Sequence, residues 1–250
     1  MSGIRVKLVA PSALVAAAAL MSGCMCCGSE VDVGELVTET RTVELLGATA
    51  VEVDLDLGVG KFTVAGGSGP LMTGEFTYNV PEWKPEIEYA VEGGVGRLKV
   101  AQPSTKKSVR GNTKNEWTIA FTNDVPIALN IDMGVGNADM ELGDLALSRL
   151  NVDQGVGNTV IDLSGNWETD LAVLIDGGVG NTKLILPDSV GIRLVSDTGI
   201  GKTTVTGLKK EGGVYTNGVY GEAAANFDVK INAGVGNVTI AVSGTRAASA

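Results

Sequence analysis

Residues 129–140 read LNIDMGVGNADM, residues 150–161 read LNVDQGVGNTVI and residues 173–184 read VLIDGGVGNTKL. Each segment alternates apolar and polar residues, reaches a Gly-Val-Gly triplet and then alternates again. Alternation with a period of two predicts a β-strand that buries one face. Glycine permits the backbone conformations that a tight corner needs. Similar segments that follow one another along a chain indicate stacked repeats.

The Gly-Val/Ile-Gly triplet marks the repeat and occurs seven times in the chain. The copies begin at Gly58, Gly94, Gly134, Gly155, Gly178, Gly199 and Gly234. The four copies from Gly134 to Gly199 are 21, 23 and 21 residues apart. This spacing predicts an all-β solenoid with rungs of about 21 residues, with an elongated sheet sandwich as the alternative. The triplets form the corners, and we expect their middle Val or Ile to pack inward. Residues 45–243 would hold about nine or ten rungs at a spacing of about 4.8 Å.

The composition limits the functional classes. The chain has 250 residues, of which 44% are hydrophobic, so it can bury a core in one or two domains. It contains no histidine, which excludes Ser-His, Cys-His and His-metal mechanisms. Its net charge of −10 argues against a nucleic-acid partner, because phosphate binding needs clustered Lys and Arg. The sequence singles out no catalytic residue, no metal site and no cofactor.

Residues 1–23 predict a secretory signal peptide. Arg5 and Lys7 precede an apolar stretch that is too short for a bilayer span of about 20 residues. Residues 20–24 (LMSGC) resemble the lipobox of bacterial lipoproteins. The resemblance implies cleavage before Cys24 and attachment of a diacylglycerol to its sulfur. The alternative is ordinary cleavage that leaves a free N-terminal Cys24.

The remaining chain divides into a tether, a body and a tail. Residues 24–40 are a lipidated tether, residues 41–243 the β-solenoid body and residues 244–250 a flexible tail. Cys26 and Cys27 are candidates for acylation or for pairing between chains, but we favour no role for them; a bridge between adjacent cysteines forms only with strain. This organisation predicts a protein anchored by lipid to the cell membrane or outer membrane, on its extracytoplasmic side.

Two polar positions repeat in phase with the triplets. Acidic residues stand two places before six of the seven triplets, namely Asp56, Glu92, Asp132, Asp153, Asp176 and Asp197. They predict either a cation-binding stripe or side chains that accept backbone N–H bonds at the turn. We favour the turn, because one carboxylate per rung is sparse for a Ca²⁺ site. Asparagine follows four triplets, at Asn137, Asn158, Asn181 and Asn237, which predicts an amide ladder if the rungs stack.

Aromatic and basic residues outside the triplets offer further candidates. Trp83, Trp117 and Trp167 are suited either to a sugar site or interface, or to plugging an end of the solenoid. The basic segment 103–116 contains Lys106, Lys107, Arg110 and Lys114. It could contact anionic lipid or wall polymer, but we interpret it as a solvated loop.

The body resembles the toast-rack family of bacterial cell-envelope proteins. The similarity rests on residues 55–60 (LDLGVG), 74–85 (GEFTYNVPEWKP) and 124–136 (DVPIALNIDMGVG), and it covers roughly residues 40–243. It implies a right-handed β-helix-like fold at the cell surface, with the family's N-terminal part at 41–120 and its repeating part at 121–243. Some relatives act in envelope-stress systems and others are candidate adhesins. The family offers no established catalytic residues.

These observations predict a binding or scaffolding protein of the envelope, with a link to envelope stress response that the resemblance implies. Its partner would be an envelope protein or polymer, recognised by an extended repeat surface. An adhesin or wall-polymer-binding protein that uses Trp83 is the alternative. A carbohydrate-active enzyme ranks lowest, because no carboxylate cluster departs from the repeat phase, and we expect the protein not to be an enzyme.

Overall fold

The computed structural model describes residues 4–6, 30–67, 69–104 and 108–243. Most of the expected signal peptide, Cys24, Cys26, Cys27 and the tail at 244–250 lie outside the described residues. Strands dominate the described chain, as the alternating pattern predicts. In chain order they are β1 (Ile4–Val6), β2 (Glu30–Asp32), β3 (Val37–Val43), β4 (Ala50–Gly67), β5 (Met72–Tyr78), β6 (Glu86–Glu92), β7 (Val95–Ala101), β8 (Ser108–Arg110), β9 (Asn115–Thr122), β10 (Ile127–Glu141), β11 (Leu147–Asp162), β12 (Leu171–Pro187), β13 (Gly191–Thr206), β14 (Lys209–Glu211), β15 (Val214–Thr216) and β16 (Asn226–Ser243). A 3₁₀ turn covers Pro81–Trp83.

Six long strands stack in parallel and form the rungs of the molecule. Their order is β4, β10, β11, β12, β16 and β13. Each strand passes through one Gly-Val/Ile-Gly triplet, and the triplets pair in register from rung to rung. The predicted all-β, solenoid-like fold is therefore confirmed.

The described stack has six rungs, whereas the spacing predicted about nine or ten. The long intervals between triplets hold short strands of another kind. Antiparallel pairs join β3 to β5, β5 to β9, β6 to β7 and β14 to β15. The length of these intervals and their alternation predicted extra rungs, but antiparallel strands with one buried face show the same alternation.

The triplet at Gly94 does not form a corner of the stack. It lies in the hairpin between β6 and β7, where Glu92 pairs with Val95. Gly93 and Gly94 both have positive φ, at 60° and 84°, which suits a two-residue hairpin turn. The expectation that Glu92 belongs to a stacked acidic row is therefore wrong.

The last rung in the chain is not the last rung in the stack. β16 lies between β12 and β13, so β13 forms the end. The inward positions explain this order. β16 offers Ile231 and Val238, both 1% exposed, whereas β13 offers Ser196 and Thr203 at the same register, and both are partly exposed. An apolar rung gains more from burial, so the hydroxyl-bearing rung takes the solvated end.

The core fills the inside of the rungs and continues under the N-terminal strands. Residues that share one register, such as Ile131, Val152 and Ile175, are at most 2% exposed. At the first rung, β9 pairs with β4, and its Trp117 ring packs edge-on against Phe62 and Phe76. Across the described residues, the chain has no helix with the length and hydropathy of a membrane span.

Candidate functional site

A line of exposed aliphatic side chains runs along the corners of the stack. We name it the valine ridge, and its members in stack order are Val59, Val135, Val156, Val179, Val235 and Ile200. Their exposed fractions lie between 43% and 49%, except for Ile200 at 70%. Six rungs at about 4.8 Å give the ridge a length of about 24 Å.

The outward direction of these side chains corrects the expectation that they pack inward. Gln154 faces the core before its triplet and Thr159 after it, and both are at most 3% exposed. The two residues are five positions apart, whereas simple alternation would place residues of the same face an even number of positions apart. The corner therefore shifts the phase of alternation, and its middle residue lies on the convex, solvent side.

The glycines of the corner permit this shift. Gly157 has a φ of 145°, which other residues avoid. A Cβ built on Gly157 would overlap the carbonyl oxygen of Gly136 in the neighbouring rung. The backbones of adjacent corners are therefore packed as closely as glycine allows.

A carboxylate ladder flanks one side of the valine ridge. Its members in stack order are Asp56, Asp132, Asp153, Asp176, the neutral Asn232 and Asp197. The Asn232 Nδ2 donates a 2.6 Å hydrogen bond to Asp176 Oδ1. The described residues provide no backbone N–H bond to the Asp132 or Asp153 side chains, so turn chemistry does not explain them. They also contain no cluster of three or more ligands suited to a metal ion.

An asparagine ladder flanks the other side of the ridge, as the sequence predicts. The Nδ2 groups of Asn158, Asn181 and Asn237 donate to the Oδ1 of the asparagine on the preceding rung, at 3.1, 2.8 and 3.0 Å. Asn137 accepts the first of these bonds. Lys61 and Lys202 occupy the same register on the first and last rungs. Asn137 Oδ1 and Asn181 Oδ1 each accept a second bond, from the backbone amide of the next asparagine. Each ladder amide still keeps at least one Nδ2 hydrogen for a ligand.

The first corner is sealed by polar side chains from the N-terminal strands. Gln102 Oε1 accepts a 3.0 Å hydrogen bond from the Val59 amide, and Asn115 Nδ2 donates a 2.6 Å bond to the Val59 carbonyl. Trp117 Nε1 donates to Asn115 Oδ1 at 2.9 Å and fixes the amide orientation. The backbone of the first rung is thereby satisfied at its outer edge.

A groove of about 530 Å³ opens beside this sealed corner. It brings together two residues that the sequence singled out, Asp56 and Trp83, with Glu86, Glu88 and Lys99. Trp83 is only 6% exposed and packs with Val31 and Val80. Its ring is therefore mostly buried in a small apolar cluster, and little of its face is available for a sugar ring to stack on.

The other tryptophans also serve packing. Trp117 is 1% exposed at the closed end of the stack, as expected for a plug. Trp167 donates its Nε1 hydrogen to the Leu163 carbonyl at 2.8 Å and packs edge-on against Phe227. Both positions fit the packing alternative better than an exposed sugar site.

Part of the basic segment lies outside the described residues, namely Lys106 and Lys107. Arg110 lies in β8, and Lys114 forms a 3.1 Å ion pair with Glu116 on the exposed surface. An exposed pair of this kind contributes little to stability.

The sequence did not reveal the valine ridge, although one signal was present. A corner with two glycines has no need of a β-branched residue between them, yet Val or Ile stands there in every copy. The repeated aliphatic residue therefore gives the corners an exposed apolar line, which a turn alone does not require.

Together the fold and the ridge define a β-repeat protein with an extended line of exposed aliphatic side chains. The N-terminal domain model of the toast-rack family matches residues 32–185. The chain belongs to this family. A second model, named for the cell wall-active antibiotics response and the C-terminal part of LiaF, matches residues 134–240.

One similar solved structure shares the fold over most of the chain. The chain is 35% identical to the "putative cell adhesion protein" from Clostridium sporogenes ATCC 15579, with a TM-score of 0.81 over 84% of this chain and 100% of that one. A "putative adhesin" from Bacteroides fragilis NCTC 9343 is 16% identical over 85% of this chain and 100% of its own, with a TM-score of 0.38. Comparison with curated protein sequences gives no match.

Proposed function

We propose that this chain is a lipid-anchored, adhesin-like binding protein of the cell envelope that recognises its partner through the valine ridge. The observation that carries the proposal is the line of six aliphatic side chains, each at least 43% exposed, on one edge of the stack. Contiguous apolar surface of this kind marks interaction sites on proteins.

The construction of the ridge favours binding. Its side chains are β-branched and have few rotamers to lose when a partner covers them. Its backbone is held between neighbouring rungs on both sides, except at the two ends. A surface that is already ordered avoids much of the entropy cost of association.

The flanks of the ridge suggest what the partner offers. The carboxylate ladder suits cationic or hydrogen-bond-donating groups, and the asparagine ladder, with its free Nδ2 hydrogens, suits groups that accept hydrogen bonds. An extended polymer or strand along the ridge would meet the same three kinds of group at about every 4.8 Å.

The comparisons support the envelope assignment. The relative with 35% identity is named for cell adhesion, and the match over residues 134–240 is to a family named for a response to cell wall-active antibiotics. The second match supports a link to envelope stress. Unchanged sensitivity of a deletion strain to such antibiotics would count against that link.

We assign binding rather than catalysis. The exposed polar residues repeat on successive rungs, and the ladders single out no rung as a reaction centre. Release of product from wall polysaccharides by the purified protein would overturn this assignment.

The ridge is tested by sedimentation with insoluble cell wall and with membrane vesicles from the bacterium that makes the protein. In the variant Val156→Ser with Val179→Ser, two half-exposed side chains lose their apolar contact, which should weaken binding about tenfold. The control Val219→Ser changes a valine that is 41% exposed and lies off the ridge. Equal binding by both variants to both probes would contradict the proposal.

The anchor is tested separately by the intact mass of the protein from its own membranes. We expect a diacylglycerol shift that Cys24→Ala abolishes, together with loss of detergent partitioning. An unmodified, freely soluble product would remove the anchor from the proposal and leave a diffusible binder.

A further inference from the structure

The two ends of the stack differ in how their outer edges are covered. At the first rung, β7 pairs with β4 over Ala50–Asp56 and β9 pairs with it over Lys61–Gly67. Gln102 and Asn115 bind the backbone of the corner between them. Every segment of that edge therefore has a partner.

The last rung has no such cover within the described residues. On its outer side, β13 pairs with β15 only at Arg193 and Leu194. The edge from Val195 to Thr206 therefore directs alternate backbone N–H and C=O groups outward, and we name it the open end. Such an edge is a template for another strand.

The shape of the open end restricts its occupant. The edge turns at Gly199–Gly201, so a strand that pairs along both arms must turn at the same place. A second copy of β13 has the same corner. A two-fold axis through the corner exchanges the two arms of the bent strand and pairs the copies antiparallel, as in a closed, isologous dimer.

The directions of the side chains then select the register. Asp197 faces outward before the corner and Lys202 faces outward after it, because the corner shifts the phase of alternation. In an antiparallel pair, the residue numbers of any two opposed residues have the same sum. Outward positions are odd-numbered before the corner, as at Asp197, and even-numbered after it, as at Lys202, so outward residues lie opposite outward residues only when that sum is odd. The register that places Asp197 opposite Lys202 of the second copy meets this condition, and symmetry forms the pair twice.

The same register gives the inward residues suitable partners. Ser196 comes opposite Thr203 of the second copy, and these hydroxyls can bond across the interface. Pairing extends from Val195 to Thr204 and stops where β15 already occupies the edge. In one copy, the hydroxyls of Thr198 and Thr203 bond to each other at 2.7 Å, so these two side chains have a partner before association.

We propose that two copies of this protein associate end to end through the open end, with reciprocal Asp197–Lys202 ion pairs. The dimer would form one continuous stack with the two valine ridges in line. The proposal is independent of what the ridge binds, because Val156 and Val179 lie on inner rungs.

Native mass spectrometry of the full chain tests the proposal by counting copies per particle. We expect a dimer, and Lys202→Glu or Asp197→Lys should each raise its dissociation constant about 30-fold, because each change turns two attractive pairs into two repulsive ones. The charge swap Asp197→Lys with Lys202→Glu should restore association to within about threefold of the original.

Lys61→Glu is the matched control, since Lys61 has the same register on the covered first rung. It should leave the dimer unchanged. A chain that stays monomeric at the highest concentration measured would overturn the proposal. A dimer that resists both single reversals, or that the charge swap fails to restore, would overturn it as well.

Discussion

Replacing Gly157 with alanine tests how closely the rungs approach at the corner. Gly157 lies between Gly136 and Gly180 on the neighbouring rungs. The new Cβ would overlap the Gly136 carbonyl oxygen, and a φ of 145° is unfavourable for alanine. Overpacking costs about 1–3 kcal/mol and the backbone conformation about 1–3 kcal/mol more, so we expect a loss of about 4 kcal/mol.

The assay is the free energy of unfolding from urea titration, followed by far-UV circular dichroism. Gly218→Ala is the control, because no atom lies within 4 Å of a Cβ at that position. It should be neutral or stabilising by up to about 1 kcal/mol. A Gly157→Ala variant within about 0.5 kcal/mol of the original protein would refute close packing at the corner.

Two further substitutions test the pKa of Tyr78 and the contribution of the asparagine ladder to stability. Burial and the hydrogen bond to Glu39 raise the pKa of Tyr78 to about 12, so the neutral phenol is favoured in the folded state. Stability should be retained below pH 10 and fall between pH 10 and about pH 12. Urea unfolding at pH 9 and 11 should show a smaller loss for Tyr78→Phe, and equal losses would contradict this. Asn158→Ala removes the ladder bonds to Asn137 and Asn181 and should lower the free energy of unfolding by about 1 kcal/mol. The control Thr239→Ser, on an exposed face, should leave it unchanged.

The sequence was sufficient to predict the strands and the inner face of the rungs. Alternation places Ile131 and Ile175 in the core, and both are at most 2% exposed. The asparagine ladder also follows from sequence, because identical residues in register must stack when rungs are parallel. Local periodicity and repeat spacing are the structural signals that can be read from one sequence alone.

The sequence did not predict the stacking order of the rungs or the outward direction of the corner side chains. The position of β16 between β12 and β13 depends on which rung gains more from burial, a comparison between distant segments. The outward direction of Val156 depends on the phase shift at its corner, which strict alternation does not represent. Glu92 matched the repeat phase, but its glycines form a hairpin turn instead.

Site-specific photocrosslinking tests the role of the valine ridge most directly. A photoreactive phenylalanine analogue replaces Val156 in cells that make the protein, and the same analogue replaces Val219 in a parallel strain. Both valines have similar exposure, at 47% and 41%. A discrete adduct from position 156 that is absent from position 219 is the expected result. No adduct at 156, or the same adducts at both positions, would contradict a binding role for the ridge.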